Sequence, residues 1–228
     1  MTMPGGRPAL IPLILVCGVD ATARSALLTS LRSTESCTHA LMLAAMQGSG
    51  RFAASDAVLT IEPDRHGIGC LCCSGSGDWL RLLERILRDR DNDRLPAFDR
   101  LIVEAGDNAD PAALFGVILG HPYLALRFAP AGVITLVAAD AGLAALERDP
   151  AAQRQVAAAD HLVIHGRGNG ALHDGLRTLA PEARILSWDE AASGRHLPQT
   201  WHLNGKTSPE VTRRTLYRAA LARRTDDP

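Results

Sequence analysis

Leu10-Ile-Pro-Leu-Ile-Leu-Val-Cys17-Gly18-Val-Asp-Ala-Thr-Ala-Arg-Ser25 is the stretch that decides the fold. Its first half, Leu10 to Cys17, predicts a buried strand, because a short apolar run that ends at a glycine is typical of parallel sheets. The residues from Ser25 to Arg32 have helical spacing. The stretch therefore predicts a strand, a tight loop and a helix, which together form the first unit of an α/β fold.

The loop between this strand and this helix has the spacing of a phosphate-binding loop, with two altered positions. In such loops backbone N–H groups surround the phosphates, a lysine contacts the β and γ oxygens, and a Ser or Thr hydroxyl holds Mg²⁺. Gly18 and Ser25 fit the first and last positions, whereas Ala23 and Arg24 replace the second glycine and the lysine. A planar guanidinium is bulkier than an ammonium group. We therefore predict a degenerate nucleotide site with Gly18, Arg24 and Ser25 as candidate cofactor-binding residues.

Along the rest of the chain, short apolar runs alternate with longer segments of helical spacing. This alternation predicts an α/β fold with a mostly parallel central sheet and helices on both faces. Ligands of such sheets gather at the carboxyl ends of the strands, where we expect Gly18, Glu104 and a cysteine-rich loop to meet. The predicted strands are Leu10–Cys17, Ala40–Ala45, Ala57–Ile61, Leu101–Glu104, Val133–Val137, Leu162–Ile164 and Arg184–Ser187. The predicted helices are Ser25–Arg32, Asp78–Asp89, Pro111–Leu119, Ala151–Ala158 and Ala171–Ala180.

Length and composition indicate one folded domain. The 228 residues are 46 % hydrophobic, which is enough to bury a full core, and we assign residues 1–190 to the domain and 191–228 to an extension with one helix. A formal net charge of −1 favours neither nucleic acid nor a membrane surface as a partner. No run approaches the ~18 apolar residues of a membrane span, and no export signal is evident, so we expect a cytoplasmic protein with reduced thiols.

The sequence Gly69-Cys70-Leu71-Cys72-Cys73 places three of the five cysteines within four residues. In a reducing compartment, clustered cysteines indicate metal or redox chemistry rather than disulfides. Three thiolates suit a soft or borderline cation such as Zn²⁺. We predict that Cys70, Cys72 and Cys73 bind Zn²⁺ or a similar ion. The alternatives are three buried structural cysteines or redox-active thiols.

Zinc usually takes four ligands, so three thiolates leave one position open. His66, Cys37, a water molecule, a donor from a client protein or a second copy of the chain could fill that position. An open position suits transfer of the metal, whereas a closed one suits a structural site.

The order of these motifs, from Ile11 to Trp188, resembles the CobW family of P-loop GTPases, which are relatives of the HypB and UreG metal-insertion proteins. The Cys-x-Cys-Cys after a glycine is the most specific of the motifs, and the others support it. The matching segments are Gly18–Ser25, Gly69–Cys73, Glu104–Pro111, Val133–Ala139, Gln155–Asp160 and Pro181–Leu186.

The resemblance implies a three-layer P-loop NTPase-like fold and a GTP-driven metallochaperone or metal-insertion factor. It also implies that Cys70, Cys72 and Cys73 bind Zn²⁺ or Co²⁺ and that a client metalloprotein receives the ion. Because three thiolates from one chain do not fill a tetrahedron, a homodimer that shares the metal is a further expectation. If GTP and Mg²⁺ bind at all, Glu104 is the residue that would orient water or Mg²⁺.

The chain departs from the family pattern at four features of the nucleotide-binding site. The first is the pair Ala23 and Arg24, which replaces the second glycine and the lysine of the loop. Asp107 stands where the family has the glycine that senses the γ-phosphate, and a carboxylate there would repel a triphosphate. The guanine-reading segment reads His165-Gly166-Arg167-Gly168, without its carboxylate. The family's Asn-Glu pair after the second strand falls on Ala44 and Ala45.

These losses, beside an intact cysteine motif, favour a metal-binding pseudo-GTPase with weak or lost GTPase activity. We also expect the chain to lack the family's C-terminal domain, because about 40 residues follow Trp188. One alternative is a working GTPase of the same family that uses Arg24 and Ser25. The other is a scaffold or interaction protein that binds no metal.

Overall fold

The computed structural model describes residues 10–46, 51–54, 57–60, 76–140, 142–167 and 170–193. Strands and helices alternate along this part of the chain. The strands are β1 Ile11–Cys17, β2 Ala40–Met46, β3 Arg51–Ala54, β4 Ala57–Thr60, β5 Arg100–Glu104, β6 Phe128–Ala138, β7 His161–His165 and β8 Arg184–Ser187. The helices are α1 Ala21–Arg32, α2 Ser76–Asp91, α3 Pro111–Gly120, α4 Pro122–Ala125, α5 Gly142–Arg148, α6 Pro150–Ala157, α7 Gly170–Leu179 and α8 Trp188–Ala192.

In the described residues the strands form one sheet in the order β4-β3-β2-β5-β1-β6-β7-β8. The strands β2, β5, β1, β6, β7 and β8 pair in parallel. β3 pairs with β2 and β4 pairs with β3, both in antiparallel orientation. The prediction of a mostly parallel sheet is confirmed. β1 lies between β5 and β6, with Val16 opposite both Glu104 and Ile134. The loops after β1, β5 and β6 therefore leave the sheet at one edge, its carboxyl edge.

Alternate residues of β1 pack on opposite faces of the sheet, which makes the fold three layers deep. Leu13, Leu15 and Cys17 pack with α2 and α3 in one cluster, whereas Ile14 and Val16 pack with α1 in another. A third cluster lies beneath α6 and α7. The helix α2 presents one apolar face to the core, because five of its apolar residues at helical spacing are buried. They are Trp79, Leu82, Leu83, Ile86 and Leu87.

The start of α1 differs from the prediction. The helix begins at Ala21 rather than at Ser25, because Asp20 is its N-cap and the Asp20 side chain accepts a hydrogen bond from the backbone N–H of Ala23 at 3.0 Å. The Arg24 N–H already donates to the Asp20 carbonyl, as in a regular helix. Only three residues therefore separate β1 from α1.

Five short elements were not predicted, namely β3, α4, α5, α8 and a 3₁₀ helix at Glu35–Cys37. The predicted C-terminal helix and most of the extension lie outside the described residues, so the division into a domain and an extension stays a prediction. The longest described helix is α2 at 16 residues, and no helix in the described part of the chain is long and apolar enough to cross a bilayer.

Candidate functional site

The structure brings the predicted cofactor-binding residues together at the carboxyl edge of the sheet. Gly18 follows β1, and Glu104 ends the neighbouring strand β5. Ser25, in the second turn of α1, has its hydroxyl 3.3 Å from the Glu104 Oε2. Arg24 lies beside it on the same helix and is buried. This clustering of Gly18, Arg24, Ser25 and Glu104 is what the sequence predicts, although their role toward a cofactor stays a prediction.

The Arg24 guanidinium is directed at acceptors of the protein itself. Its Nε donates to Glu104 Oε1 at 3.2 Å, and its Nη1 donates to the Gly18 carbonyl oxygen. The same Nη1 lies 2.7 Å from Asp107 Oδ1. Hydrogen bonds between ionised groups are about twice as strong as neutral ones. The positive charge at the position of the P-loop lysine is therefore compensated within the protein.

Glu104 needs this partner because its side chain is almost fully buried, with 2 % exposure. A buried carboxylate without a partner is strongly disfavoured. Arg24, itself 4 % exposed in its side chain, supplies the opposite charge. Ser25 adds a hydroxyl at the same carboxylate. The three residues form a compact buried ion pair with a polar cap.

Asp107 joins this pair from the solvent side. Its side chain is 56 % exposed, and its carboxylate faces Arg24 across the mouth of the site. The sequence predicts that a carboxylate here would repel a triphosphate, and the structure adds that it also holds the guanidinium in place. Two carboxylates, Glu104 and Asp107, thus share one cation.

Gln155 on α6 forms a hydrogen bond with the backbone of the loop after β1. Its side chain is buried, and its Oε1 accepts a hydrogen bond from the Gly18 N–H at 3.0 Å. Its Nε2 lies 3.3, 2.8 and 3.0 Å from the carbonyl oxygens of Gly106, Asp107 and Ala109. In a phosphate-binding loop, backbone N–H groups of this kind face the ligand. Here one of them bonds a side chain of the same protein.

Asp20 occupies the N-terminus of α1, a position where helices favour bound anions. Its Oδ1 caps the helix, and its Oδ2 lies 3.5 Å from Nε2 of His165 at the end of β7. The His165 ring in turn meets Trp188 edge to face, with ring centroids 6.3 Å apart. A carboxylate of the protein therefore stands where a phosphate group would lie.

A small cavity adjoins this network on the side of α5 and α6. Its volume is about 120 Å³, well below the roughly 300–1,000 Å³ of typical ligand pockets. Its lining is mainly apolar, and it carries the backbone of Gly18 and Val19 on one wall. The side chains that line it include Leu136, Val137, Leu146, Ala152 and Val156.

The predicted metal ligands Cys70, Cys72 and Cys73, and the candidate fourth ligand His66, lie outside the described residues. Within the described ranges, no group of three or more His, Cys, Asp or Glu side chains could hold a metal ion. Cys37 is buried just before β2, at the amino edge of the sheet. Because the cysteine motif lies outside the described residues, the identity of the fourth ligand stays a prediction.

Cys17 and Cys37 are predicted to be chemically inert in the folded protein. Burial raises the pKa of Cys17 to about 12, and burial also raises the pKa of Cys37. At pH 8 about one Cys17 thiol in ten thousand is then ionised, and only the thiolate reacts. We expect iodoacetamide at pH 8 to leave both residues unmodified in native protein and to modify both in urea, as measured by peptide mass spectrometry. Rapid native labelling of Cys17 would contradict its burial.

Sequence reasoning missed the parts of Asp20, Gln155 and His165 in this site. Asp20 had a local signal, because an aspartate three residues before the Ala23 N–H is a common N-cap. Gln155 stood in a matching family segment but had no local feature that indicated contact with Gly18. His165 was known only as the residue at the former base-recognition position.

Residues 63–166 match the model of the CobW/HypB/UreG nucleotide-binding domain. Over 96 residues the chain is 33 % identical to the zinc chaperone YjiA of Escherichia coli strain K12. The matched segment covers 42 % of this chain and 30 % of the relative.

Two solved structures share the fold. The crystal structure of Zn(II)-bound YjiA GTPase from E. coli superposes with a TM-score of 0.60 at 18 % identity, over 91 % of this chain and 62 % of that one. A Zn(II)-bound triple mutant of YjiA gives a TM-score of 0.57 at 19 % identity, with the same coverage. The chain thus spans less than two thirds of the length of these relatives.

Proposed function

We propose that this chain, which belongs to the CobW/HypB/UreG family, carries Zn²⁺ or Co²⁺ as cargo and works as a pseudo-GTPase. The observation that carries the proposal is the contrast between an intact Gly69–Cys73 motif and a P-loop region whose charged groups bond one another. The ion would pass to a client metalloprotein in the reducing cytoplasm.

The donor chemistry of the cysteine motif supports the metal half of the proposal. Cys70, Cys72 and Cys73 can supply three thiolates, and thiolate sulfur is a preferred ligand of Zn²⁺. The fourth position would be filled by water, by a client or by a second copy of the chain. A bond to water exchanges more readily than a fourth thiolate, which suits delivery rather than storage in a closed site. A relative named as a zinc chaperone supports the same class of cargo.

The residues at the P-loop position do not fit Mg²⁺ and a nucleoside triphosphate. Arg24 faces Glu104 and Asp107, Gln155 takes the Gly18 N–H, and Asp20 caps α1. Like charges 4 Å apart repel by about 4 kcal/mol near a protein surface, so a phosphate group would be repelled by the carboxylates of Asp20 and Asp107. We therefore derive no step of the function from GTP hydrolysis.

Metal analysis of the protein purified with reduced thiols tests the proposal. We expect about one zinc per chain in the wild type and less than a tenth of that in Cys72→Ser, because one lost thiolate leaves two ligands from the motif. Cys37→Ala removes a buried thiol outside the motif, so it is the matched control and should keep its zinc. A metal-free wild type in zinc-replete buffer would instead favour the scaffold alternative.

A working GTPase remains the second candidate because Ser25 and Glu104 are retained and lie 3.3 Å apart. In a P-loop enzyme a hydroxyl and a carboxylate so placed would hold Mg²⁺. Calorimetric titration with Mg²⁺ and GTP separates the candidates. Micromolar binding, together with hydrolysis that Glu104→Gln abolishes, would reverse the order of the two.

A further inference from the structure

We infer that Arg24 and Gln155 form an internal clamp that fixes the loop of residues 105–110 without any nucleotide. The clamp makes this loop insensitive to GTP and so leaves the metal site under constitutive rather than nucleotide-dependent control. The inference rests on the proposed function, because it describes how that function is regulated.

Gln155 supplies the first half of the clamp. One buried amide connects three parts of the fold, namely α6, the Gly18 N–H after β1, and the carbonyl groups of Gly106, Asp107 and Ala109. Gly18 and Gln155 are 137 residues apart in the chain. The Gln155 side chain is fully buried, so a loop that left it would leave the Gln155 Nε2 without its acceptors, which is disfavoured.

Arg24 supplies the second half. Its guanidinium contacts the Gly18 carbonyl, Glu104 at the end of β5 and Asp107 in the loop itself. The cation therefore ties α1 to both the strand and the loop that follows it. A divalent ion bound to a γ-phosphate would provide the same positive charge from outside, as in GTPases whose switch loops are ordered by their ligand. Here the charge belongs to the chain and is always present.

The ends of the loop are fixed as well. The Ala105 N–H donates to the Val16 carbonyl at 2.9 Å, which continues the β1–β5 pairing. At the other end, the Asp110 side chain accepts hydrogen bonds from the N–H groups of Ala112 and Ala113 and so caps α3. Both ends of the loop are thus anchored, and Gln155 and Arg24 contact the residues between them.

Hydrogen–deuterium exchange of the full chain tests the clamp. We expect slow exchange of the hydrogen-bonded Ala105 and Ala109 amides of the loop in the wild type, unchanged by 1 mM GTP with Mg²⁺. Asp107→Asn should speed exchange there by about fivefold, and Gln155→Ala by about tenfold or more. Arg32→Ala on α1 and Gln153→Ala on α6 are matched controls that should leave the loop unchanged.

The outcomes separate this inference from the proposed function. Fast exchange of the loop in the wild type, or protection that increases on addition of GTP, would overturn the clamp whatever the zinc content. Unchanged exchange in both Asp107→Asn and Gln155→Ala would overturn it too, and the exposed Asp107 keeps that test valid if Gln155→Ala fails to fold. A zinc-free wild type with a protected, GTP-insensitive loop would instead remove the metal function and leave the clamp in place.

Discussion

Gly18→Ala is expected to lower the free energy of unfolding by about 3–5 kcal/mol, which combines the cost of a disallowed backbone conformation with that of a steric clash. Gly18 has φ +130°, a value that L-residues with a side chain rarely adopt. A Cβ at this position would lie 2.6 Å from the Leu136 carbonyl oxygen. Because Leu136 belongs to β6 in the middle of the sheet, its backbone cannot move aside without disturbing neighbouring strands.

Urea unfolding monitored by circular dichroism measures this effect. Gly116→Ala in α3 is the matched control, because a Cβ there meets no atom within 4 Å and alanine is the better helix former by about 1 kcal/mol. We expect the control to be neutral or slightly stabilised. Equal midpoints for the two variants would show that the turn after β1 does not have the described conformation.

Arg24→Met is expected to destabilise the fold by about 3–5 kcal/mol, the usual cost of leaving one member of a buried ion pair without its partner. Methionine has a similar length and keeps most of the packing, so the lost quantity is the charge and its hydrogen bonds. Glu104 would then be buried beside Ser25 and Asp107 without the Arg24 guanidinium. The same urea experiment reports the change.

A second substitution distinguishes charge from packing. The double variant Arg24→Met with Glu104→Gln removes both buried charges and should recover more than half of the lost stability, because neutral replacements of buried pairs are often tolerated. Arg32→Met, at the exposed end of α1, is the control for a methionine in this helix. A double variant as unstable as Arg24→Met alone would mean that packing, not charge, makes Arg24 important.

The sheet and its main helices could be predicted because their signals are local. An apolar run such as Ile11–Cys17 or Leu101–Glu104 must be buried on both faces, and the spacing of Trp79, Leu83 and Ile86 allows one helical face only. The short hairpin strand β3 lacked such a signal, because four residues are too few to show a period. Element order then indicated which loops share the carboxyl edge.

The inner arrangement of the site could not be predicted, because it depends on contacts between residues far apart in the sequence. The sequence shows an arginine at position 24 in place of a lysine. It does not show that the Arg24 guanidinium contacts Glu104, which is 80 positions away in the chain. The bond from the Gly18 N–H to Gln155 depends on how α6 packs over β6. The cysteine motif was recognised by its residues, and its geometry lies outside the described part of the chain.

Only Gly18, Val19 and Asp20 separate β1 from α1, so Ala21 and Thr22 are already wound into the helix. The substitutions Ala23→Gly and Arg24→Lys would restore the usual P-loop residues at these two positions. The Asp20 cap and the hydrogen bond from the Gly18 N–H to Gln155 would still be present. Regaining an open cradle would require unwinding most of a helical turn, about 5 Å of rise. Point substitutions at positions 23 and 24 would therefore leave the path of the main chain between β1 and α1 as it is.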